Sequence, residues 1–486
     1  MRRITTKQLF QTIRRSIATN PRDQIINCDP TKMIPGFSPI FKEDKPTKYQ
    51  ITTLDCGVKV LTEDSAFPFH TDINIVGNFG TRNETQKTGG AMKMLNTLLF
   101  MSGDNQSILQ NYELNQLNGG GINMHFDQET TSYKCQCIPE DTESMLDLLL
   151  KTAISPKDFS VFEPSALSNE LENLEFEKIF LKAAYDGKGV GMCDLNPSMT
   201  EQDFLDFQNK YITPHRLLIS GSNVPSHEHF VNLVQQMLKK YPQFLNRKYN
   251  PNPFESIYAG KEIRIETESD LVEVGVGFKA VNWQHPDMII FQIIFSIIGN
   301  SSYFSTGGPG KGMHARATKN CKKQYVLYCI NKLFYNKKVL NRLSYVQGAD
   351  CICNIFTDSG FFGLKLTGTN ESINELIQSC IRELHLLQMP ISPIELQRSK
   401  NILKSLINLS LERQQDRLEE AAKHVINFKQ IKLDETERMI DRVTTEDINR
   451  VARELFQNSR PTVTMIGEGV NKAMSYDQIC RLCYKQ

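Results

Sequence analysis

Two stretches of the chain about 245 residues apart repeat the same order of signals, and no other feature limits the possible folds as strongly. The first is Thr200-Glu-Gln-Asp203, an amphipathic run through Phe204 and Phe207, then Pro214 and the apolar segment Leu217-Leu-Ile-Ser-Gly221. The second is Thr444-Thr-Glu-Asp447, a run through Ile448, Val451, Ala452, Leu455 and Phe456, then Pro461 and Val463-Thr-Met-Ile-Gly467. In each, the threonine is placed to cap a helix whose positive first turn favours the aspartate. Asp203 to Gly221 is 18 positions and Asp447 to Gly467 is 20, so the two align with a two-residue gap.

The match continues upstream. Ile73-Asn-Ile-Val-Gly-Asn-Phe-Gly80 leads into a helix expected from about Thr88 to Met101, and Val272-Glu-Val-Gly-Val-Gly-Phe278 leads into one from about Pro286 to Ile298. In both places strand alternation gives way to helical periodicity. A chain of 486 residues exceeds a single core. The expected fold is therefore α+β, in two similar halves from an internal duplication. Each half is expected to be a mostly antiparallel sheet covered on one face by helices. The halves are expected at residues 46–245 and 263–486, joined by a linker at 246–262 that contains Pro251, Asn252 and Pro253.

Residues 1–45 stand apart. Arg2, Arg3, Lys7, Arg14 and Arg15 are basic, Ile4, Phe10, Ile13 and Ile17 recur at roughly helical spacing, and no acid precedes Asp23. That pattern is expected of a mitochondrial transit peptide, a plain basic arm being the alternative. A formal net charge of +1 leaves no basic surplus for a nucleic acid partner. The longest apolar run, Met288 to Ile298, is eleven residues and fits a buried helix rather than a membrane span. Cys135/Cys137 and Cys351/Cys353 alternate within strand-like runs, which places each pair on one face. Cys480 and Cys483 form a CxxC with no second CxxC to complete a zinc site. Reduced structural thiols are expected.

The densest glycine cluster is Gly307-Gly308-Pro309-Gly310-Lys311-Gly312, followed by Met313. Glycine loses more freedom on ordering than other residues, so such a cluster either stays a mobile surface loop or exposes backbone that a partner approaches closely. It is not a nucleotide loop. Ser305 stands where G-x-x-x-x-G-K-[ST] needs its first glycine, and Gly312 replaces the magnesium-binding hydroxyl. Further on, Ser392-Pro393-Ile-Glu395 opens a helix expected to run to about Asn427, with Leu396, Leu403, Ile407 and Leu411 as its apolar stripe. His227 and His229 sit two residues apart at the start of a helix, so they do not share a face and are expected to be polar N-terminal residues.

The loop at 307–313 resembles the glycine-rich loop of the alpha-subunit family of mitochondrial processing peptidases. Ala183-Ala-Tyr185 with Val190-Gly191, His227-Glu-His229-Phe-Val and the helix from Ser392 also resemble that family. The similarity covers roughly residues 50 to 470. The same family group includes the core proteins of ubiquinol–cytochrome c reductase, all within the pitrilysin-type metallopeptidases. The resemblance implies two peptidase-like domains that enclose a chamber with a partner subunit.

Active members carry H-x-x-E-H on the first long helix, two zinc-binding histidines and a glutamate that activates water. The sequence contains no H-x-x-E-H, and the corresponding positions are Lys93, Asn96 and Thr97. Glu170, Glu172 and Glu175, where a distal ligand would lie, are expected to form a solvated helix face. No catalytic residue, no metal and no cofactor are therefore expected on this chain, and zinc is expected on the partner only. The resemblance implies a non-catalytic alpha subunit in the mitochondrial matrix, peripheral to the inner membrane. It would bind precursor presequences through Gly307, Gly308, Pro309, Gly310, Lys311 and Gly312 and present them to a zinc-bearing beta subunit. The alternative it implies is a structural core subunit of respiratory complex III beside cytochrome b and cytochrome c1, and both roles are compatible with one chain. One departure is local: Asn300, Ser301, Ser302 and Tyr303 stand where relatives continue the glycine run, so a shorter or stiffer loop is expected.

Overall fold

In the computed structural model the described residues run from 48 to 484. Residues 65–69, 102–112, 114–115, 117–120, 158–174, 251–254, 300, 303–344, 429–430, 432 and 458 lie outside this description. So do residues 1–47, with the proposed targeting arm, and the glycine-rich segment 307–312.

The first half contains strands β1 (Lys48–Thr53), β2 (Lys59–Asp64), β3 (Thr71–Gly77), β4 (Gly121–Phe126), β5 (Thr131–Cys137) and β6 (Leu217–Ser222). Its longer helices are α1 (Ala91–Thr97), α2 (Thr142–Ile154), α3 (Phe176–Tyr185), α4 (Glu201–Tyr211) and α5 (His227–Leu238), followed by a single turn at Pro242–Leu245. The second half contains β7 (Glu262–Glu266), β8 (Leu271–Ala280), β9 (Ser301–Ser302), β10 (Val346–Ile355), β11 (Gly360–Thr369) and β12 (Thr462–Gly467). Its helices are α6 (Met288–Ile298), α7 (Ile373–His385), α8 (Pro393–Glu412), α9 (Gln414–Phe428), α10 (Leu433–Arg442), α11 (Thr445–Gln457) and α12 (Tyr476–Tyr484).

The duplication is visible strand by strand. The sheet orders are β1-β2-β6-β3-β5-β4 and β7-β12-β8-β11-β10-β9. In each, one parallel pair (β2 with β6, β7 with β12) is followed by three antiparallel neighbours. The sheets differ at their edges, where β1 extends the first and the two-residue β9 extends the second. The paired caps match as well. Thr200 Oγ1 accepts from Asp203 N at 3.2 Å while Asp203 accepts from Thr200 N at 3.3 Å. Thr444 and Asp447 do the same at 3.3 and 2.9 Å.

Strand alternation explains the layers. On β8, Val272, Val274, Val276 and Phe278 point into the main core of the second half, against α6, α7 and α11. On β3, Ile73 and Ile75 point into the first core with Met92 and Leu95 of α1 and Leu149 of α2. The expected buried helix is α6, with Ile290, Ile293, Ile294 and Ile297 in that core.

The opposite sheet faces are also covered, which the repeat did not suggest, and each is covered by a helix from the other half. Phe176 and Phe180 of α3 lie on the second sheet, where the Phe180 ring meets Phe361 edge-on with centroids 4.6 Å apart. Glycines make this seat possible. A Cβ on Gly363 would stand 2.8 Å from Phe180, and one on Gly275 would stand 2.8 Å from Phe176. In return, Leu418, Ala421, Ala422 and Val425 of α9 lie on Leu61, Val76 and Leu218 of the first sheet.

The single helix expected from Ser392 to about Asn427 is in fact two. The chain turns extended at Arg413, with φ −73° and ψ 124°, and α9 departs from there toward the first sheet. Arg417 explains why the break is tolerated. Its Nη1 donates to the freed Leu411 carbonyl at 3.0 Å, and its Nε donates to the buried Glu63 on β2. Ser392 occupies the N-cap position but makes no side-chain capping bond.

Candidate functional site

The three residues expected at the metal-motif positions sit on α1. Lys93 is half-buried, and Asn96 and Thr97 are exposed. Thr97 Oγ1 turns back to donate to the Lys93 carbonyl at 3.1 Å. The helix start is held by Glu84, whose carboxylate accepts from Met92 N at 2.8 Å and Gly90 N at 3.1 Å. Burial pushes the Glu84 carboxyl up to about 7, against the pull of those two amides and of Lys93 and Lys178. An ammonium repels a divalent cation and has no lone pair to give, while Asn96 cannot act as a general base. A zinc ion, which the H-x-x-E-H chemistry of the resembled family implies, does not fit these residues. Among the described residues no group of three or more His, Cys, Asp or Glu side chains converges on a common point.

Glu175 is the N-cap of α3 and pairs with Lys178 at 3.3 Å on the surface, while Glu170 and Glu172 lie outside the described residues. His229 is held by its backbone, which donates to Ser226 Oγ at 3.1 Å. His227 does something that spacing alone did not predict. Its ring nitrogens bond Thr52 at 2.7 Å and Thr62 at 2.8 Å, clasping the edge strand β1 to β2 and α5, and burial lowers its pKa. Cys135 and Cys137 are buried, and Cys483 is buried with burial pushing its thiol up to about 12, so the CxxC carries no activated thiol.

Buried Lys157 holds the far end of α1. Its Nζ donates to the carbonyls of Leu99 at 2.7 Å and Thr152 at 2.6 Å, and burial pulls the ammonium from its ordinary 10.5 down to about 7. The unfolded chain therefore holds this proton between pH 7 and 10.5 while the folded chain does not, so stability rises with pH there. Glu84 acts with the opposite sign. Its folded form keeps a proton between pH 4.5 and 7 that the unfolded form loses, so stability falls as pH rises through that window. Denaturant titrations from pH 5 to 9 are expected to show a joint minimum near pH 7, each slope approaching about 1.4 kcal/mol per pH unit. Lys157→Met is expected to flatten only the alkaline slope; a slope that survives in the variant rules out Lys157 as its source.

A buried polar network that sequence reading missed lies where the two halves meet. The β4–β5 turn and its duplicate, the β10–β11 turn, face one another across Arg82, which is 4 % exposed. The guanidinium pairs with Glu129 of the first turn and with Asp358 of the second, the latter at 2.6 Å. Glu129 also accepts from Thr357 N at 2.9 Å and Thr357 Oγ1 at 2.6 Å. Asp358 accepts from Ser256 N of the connecting segment at 3.0 Å and Ser256 Oγ accepts from Val190 N at 3.4 Å, so that segment is tied to both halves. Burial raises the Glu129 carboxyl more than Arg82 lowers it, which marks a pair that depends on its partners being present. Nothing in the spacing of Arg82, Glu129 and Asp358 signals this, because they are separated by long stretches and each has an ordinary surface neighbourhood in sequence.

Comparison with known proteins fits this architecture. A family model described as Insulinase (Peptidase family M16) matches residues 59–185, and one described as Peptidase M16 inactive domain matches residues 198–403. The mitochondrial-processing peptidase subunit alpha of Caenorhabditis elegans is 25 % identical over 456 residues, covering 86 % of this chain and 84 % of that protein. The human protein of the same name is 24 % identical over 473 residues, covering 90 % and 86 %. The potato counterpart, from Solanum tuberosum, is 24 % identical over 458 residues, covering 90 % and 85 %. Among solved structures, a chain of Complex III2 from Candida albicans, Inz-5 bound, superposes with a TM-score of 0.69 at 16 % identity, over 89 % of this chain and 99 % of that one. With two matched models of one family, relatives aligned over most of their length and a duplicated fold, the chain belongs to the M16 peptidase family.

Proposed function

We propose that this chain is the non-catalytic, substrate-recognising subunit of a heterodimeric mitochondrial processing peptidase. It would bind presequences of imported precursors, and an H-x-x-E-H subunit would supply the zinc. The observation that carries this is the helix α1, which bears Lys93, Asn96 and Thr97, residue types that supply neither a zinc-binding imidazole nor a carboxylate base. The relatives named as alpha subunits of that peptidase support it. In this reading, residues 46–245 and 263–486 are the two peptidase-like domains, joined through 246–262, and they close a chamber with the partner. Residues 1–45 direct the chain to the mitochondrion, where it works on the matrix side, peripheral to the inner membrane. Among the described residues no helix is long and apolar enough to cross a membrane.

A second reading, a core subunit of respiratory complex III beside its cytochromes, is favoured by the likeness to the Complex III2 chain. Native isolation in mild detergent followed by mass spectrometry separates the two. An H-x-x-E-H protein as the stoichiometric companion is the expected result, whereas stoichiometric cytochrome subunits would assign the chain to the respiratory complex. The glycine segment has its own test. Deleting residues 307–312 is expected to weaken precursor binding about tenfold or more while the heterodimer stays intact. An unchanged affinity removes Gly307 to Gly312, Lys311 included, from the binding surface.

A further inference from the structure

The stretch from His229 to Phe254 holds no Asp or Glu, yet it carries Lys239, Lys240, Arg247 and Lys248. Lys240 pairs with Asp147 of α2 at 2.7 Å. The end of the stretch, beyond the turn at Pro242–Leu245, folds back on the end of α4 and the segment leading into β6, where further cations lie. Arg247 Nη1 donates to the Ile212 carbonyl at 3.1 Å. Arg216 donates through Nη1 to the Asn78 carbonyl at 2.6 Å and through Nη2 to the Asn250 carbonyl. Its guanidinium lies 5.5 Å from the Tyr211 ring centroid and 5.3 Å from that of Tyr249, and Lys210 Nζ stands 5.2 Å from Tyr211. His215 meets the Tyr249 ring edge-on, with centroids 6.2 Å apart.

A buried guanidinium is ordinarily matched by a carboxylate, as Arg82 is by Glu129 and Asp358. Arg216 is 3 % exposed and has none: two carbonyls and two ring faces hold it, and its Nε has no hydrogen-bond partner among the described residues. Burial leads the influences that lower its pKa, with Arg82 adding to it, and burial lowers that of Arg247 as well. Among the described residues no carboxylate lies within ion-pair distance of Lys210, Arg247 or Lys248 either. Two acids in the neighbourhood leave the charge standing. Asp206, one turn before Lys210, accepts from Gln202 at 2.9 Å. Asp55 belongs to the β1–β2 turn, which abuts His215 at Gly57, and it makes no ion pair there. Lys210, His215, Lys248 and Tyr249 are exposed, so the positive charge is presented at the surface.

We propose that Lys210, Arg247 and Lys248, around Tyr249 and the buried Arg216, bind phosphate groups, and that the anionic headgroups of a lipid bilayer are their source. Ammonium and guanidinium donors take phosphate oxygens in charge-assisted hydrogen bonds, and such an anion supplies the counter-charge that Arg216 lacks. Tyr249 is 54 % exposed among these cations, an amphipathic ring of the kind that sits at headgroup level. The exposed positions of α5 that lead toward it, His229, Asn232, Gln235, Gln236 and Lys239, bear no negative charge, so a surface carrying many phosphates meets no repulsion along them. A single phosphate in solution needs neither that face nor an exposed ring. Naming the bilayer as the matrix leaflet of the inner mitochondrial membrane rests on the function proposed above; the phosphate site does not.

The full chain is floated with vesicles of equal parts phosphatidylglycerol and phosphatidylcholine, and with vesicles of phosphatidylcholine alone. Binding to the anionic vesicles only, weakening as salt is raised, is expected. Lys210→Glu with Lys248→Glu, both exposed, is expected to weaken it about tenfold or more, with folding checked by circular dichroism. Lys279→Glu with Lys472→Glu makes the same change of net charge at exposed positions of the second half and is expected to cost less than about threefold. Equal losses in the two double variants, or equal binding to both kinds of vesicle, overturn the proposal. Inorganic pyrophosphate, titrated by calorimetry, separates the sources. Saturable binding that the Lys210/Lys248 variant loses, without vesicle binding, keeps the phosphate site and discards the bilayer; no response to either probe discards both. Cleavage by the assembled pair in vesicle-free buffer reads the processing function separately, so vesicle binding by a chain that adds nothing to cleavage strikes that function and leaves this site.

Discussion

Arg82→Ala is expected to cost about 3–5 kcal/mol of folding stability, because it strands two carboxylates at the junction of the halves. Glu129 sits there at 10 % side-chain exposure and Asp358 at 23 %, and both lose their only guanidinium. Adding Glu129→Gln and Asp358→Asn to the variant is expected to recover much of that loss, since the cost comes from the uncompensated charge rather than from the missing contact. Equilibrium denaturation of the three proteins is the check. A loss under about 1 kcal/mol for Arg82→Ala would place the network in the class of exposed ion pairs.

Phe180→Ala is expected to cost a similar amount, about 3–5 kcal/mol, by emptying the glycine-floored seat on the second sheet. Phe180 is fully buried and edge-on to Phe361, and Gly275 and Gly363 leave no side chain able to fill the space. Because α3 belongs to the first half in sequence and α9 reciprocates on the first sheet, neither half completes its core alone. Unfolding of residues 48–486 is therefore expected as one cooperative transition in both wild type and variant, shifted in the latter. Two separated transitions, with only the second half affected by Phe180→Ala, would show that the crossed helices do not couple the halves.

How much of this was legible beforehand follows from the range of each signal. The T-x-x-D caps at Thr200 and Thr444 are local, and they appear as expected with both reciprocal bonds made. Alternation on Ile73–Val76 and on Val272–Phe278 marked strands whose one face enters a helical layer, and those strands are β3 and β8. Gly275 and Gly277 within that alternation were the visible trace of a second buried face, because a strand with one solvated face has no need of glycine there. The break at Arg413 left no trace: neither proline nor glycine ends α8, and the turn is held by Arg417 reaching Glu63 from more than 300 positions away. Lys93, Asn96 and Thr97 are legible in the sequence only as residue types, and Glu84 as the cap of their helix is not legible at all, since a cap six residues before the first amide it serves matches no short pattern.

The central claim, a chain that binds substrate for a metal-bearing partner, is tested most directly by reconstitution. The purified chain, an H-x-x-E-H M16 subunit from the same source and the two combined are each incubated with a presequence-bearing precursor and zinc, and cleavage is followed by time-resolved electrophoresis. No cleavage by this chain alone, little by the partner alone and efficient cleavage by the pair are predicted. Cleavage by this chain without the partner, or a partner equally active without it, would contradict the account.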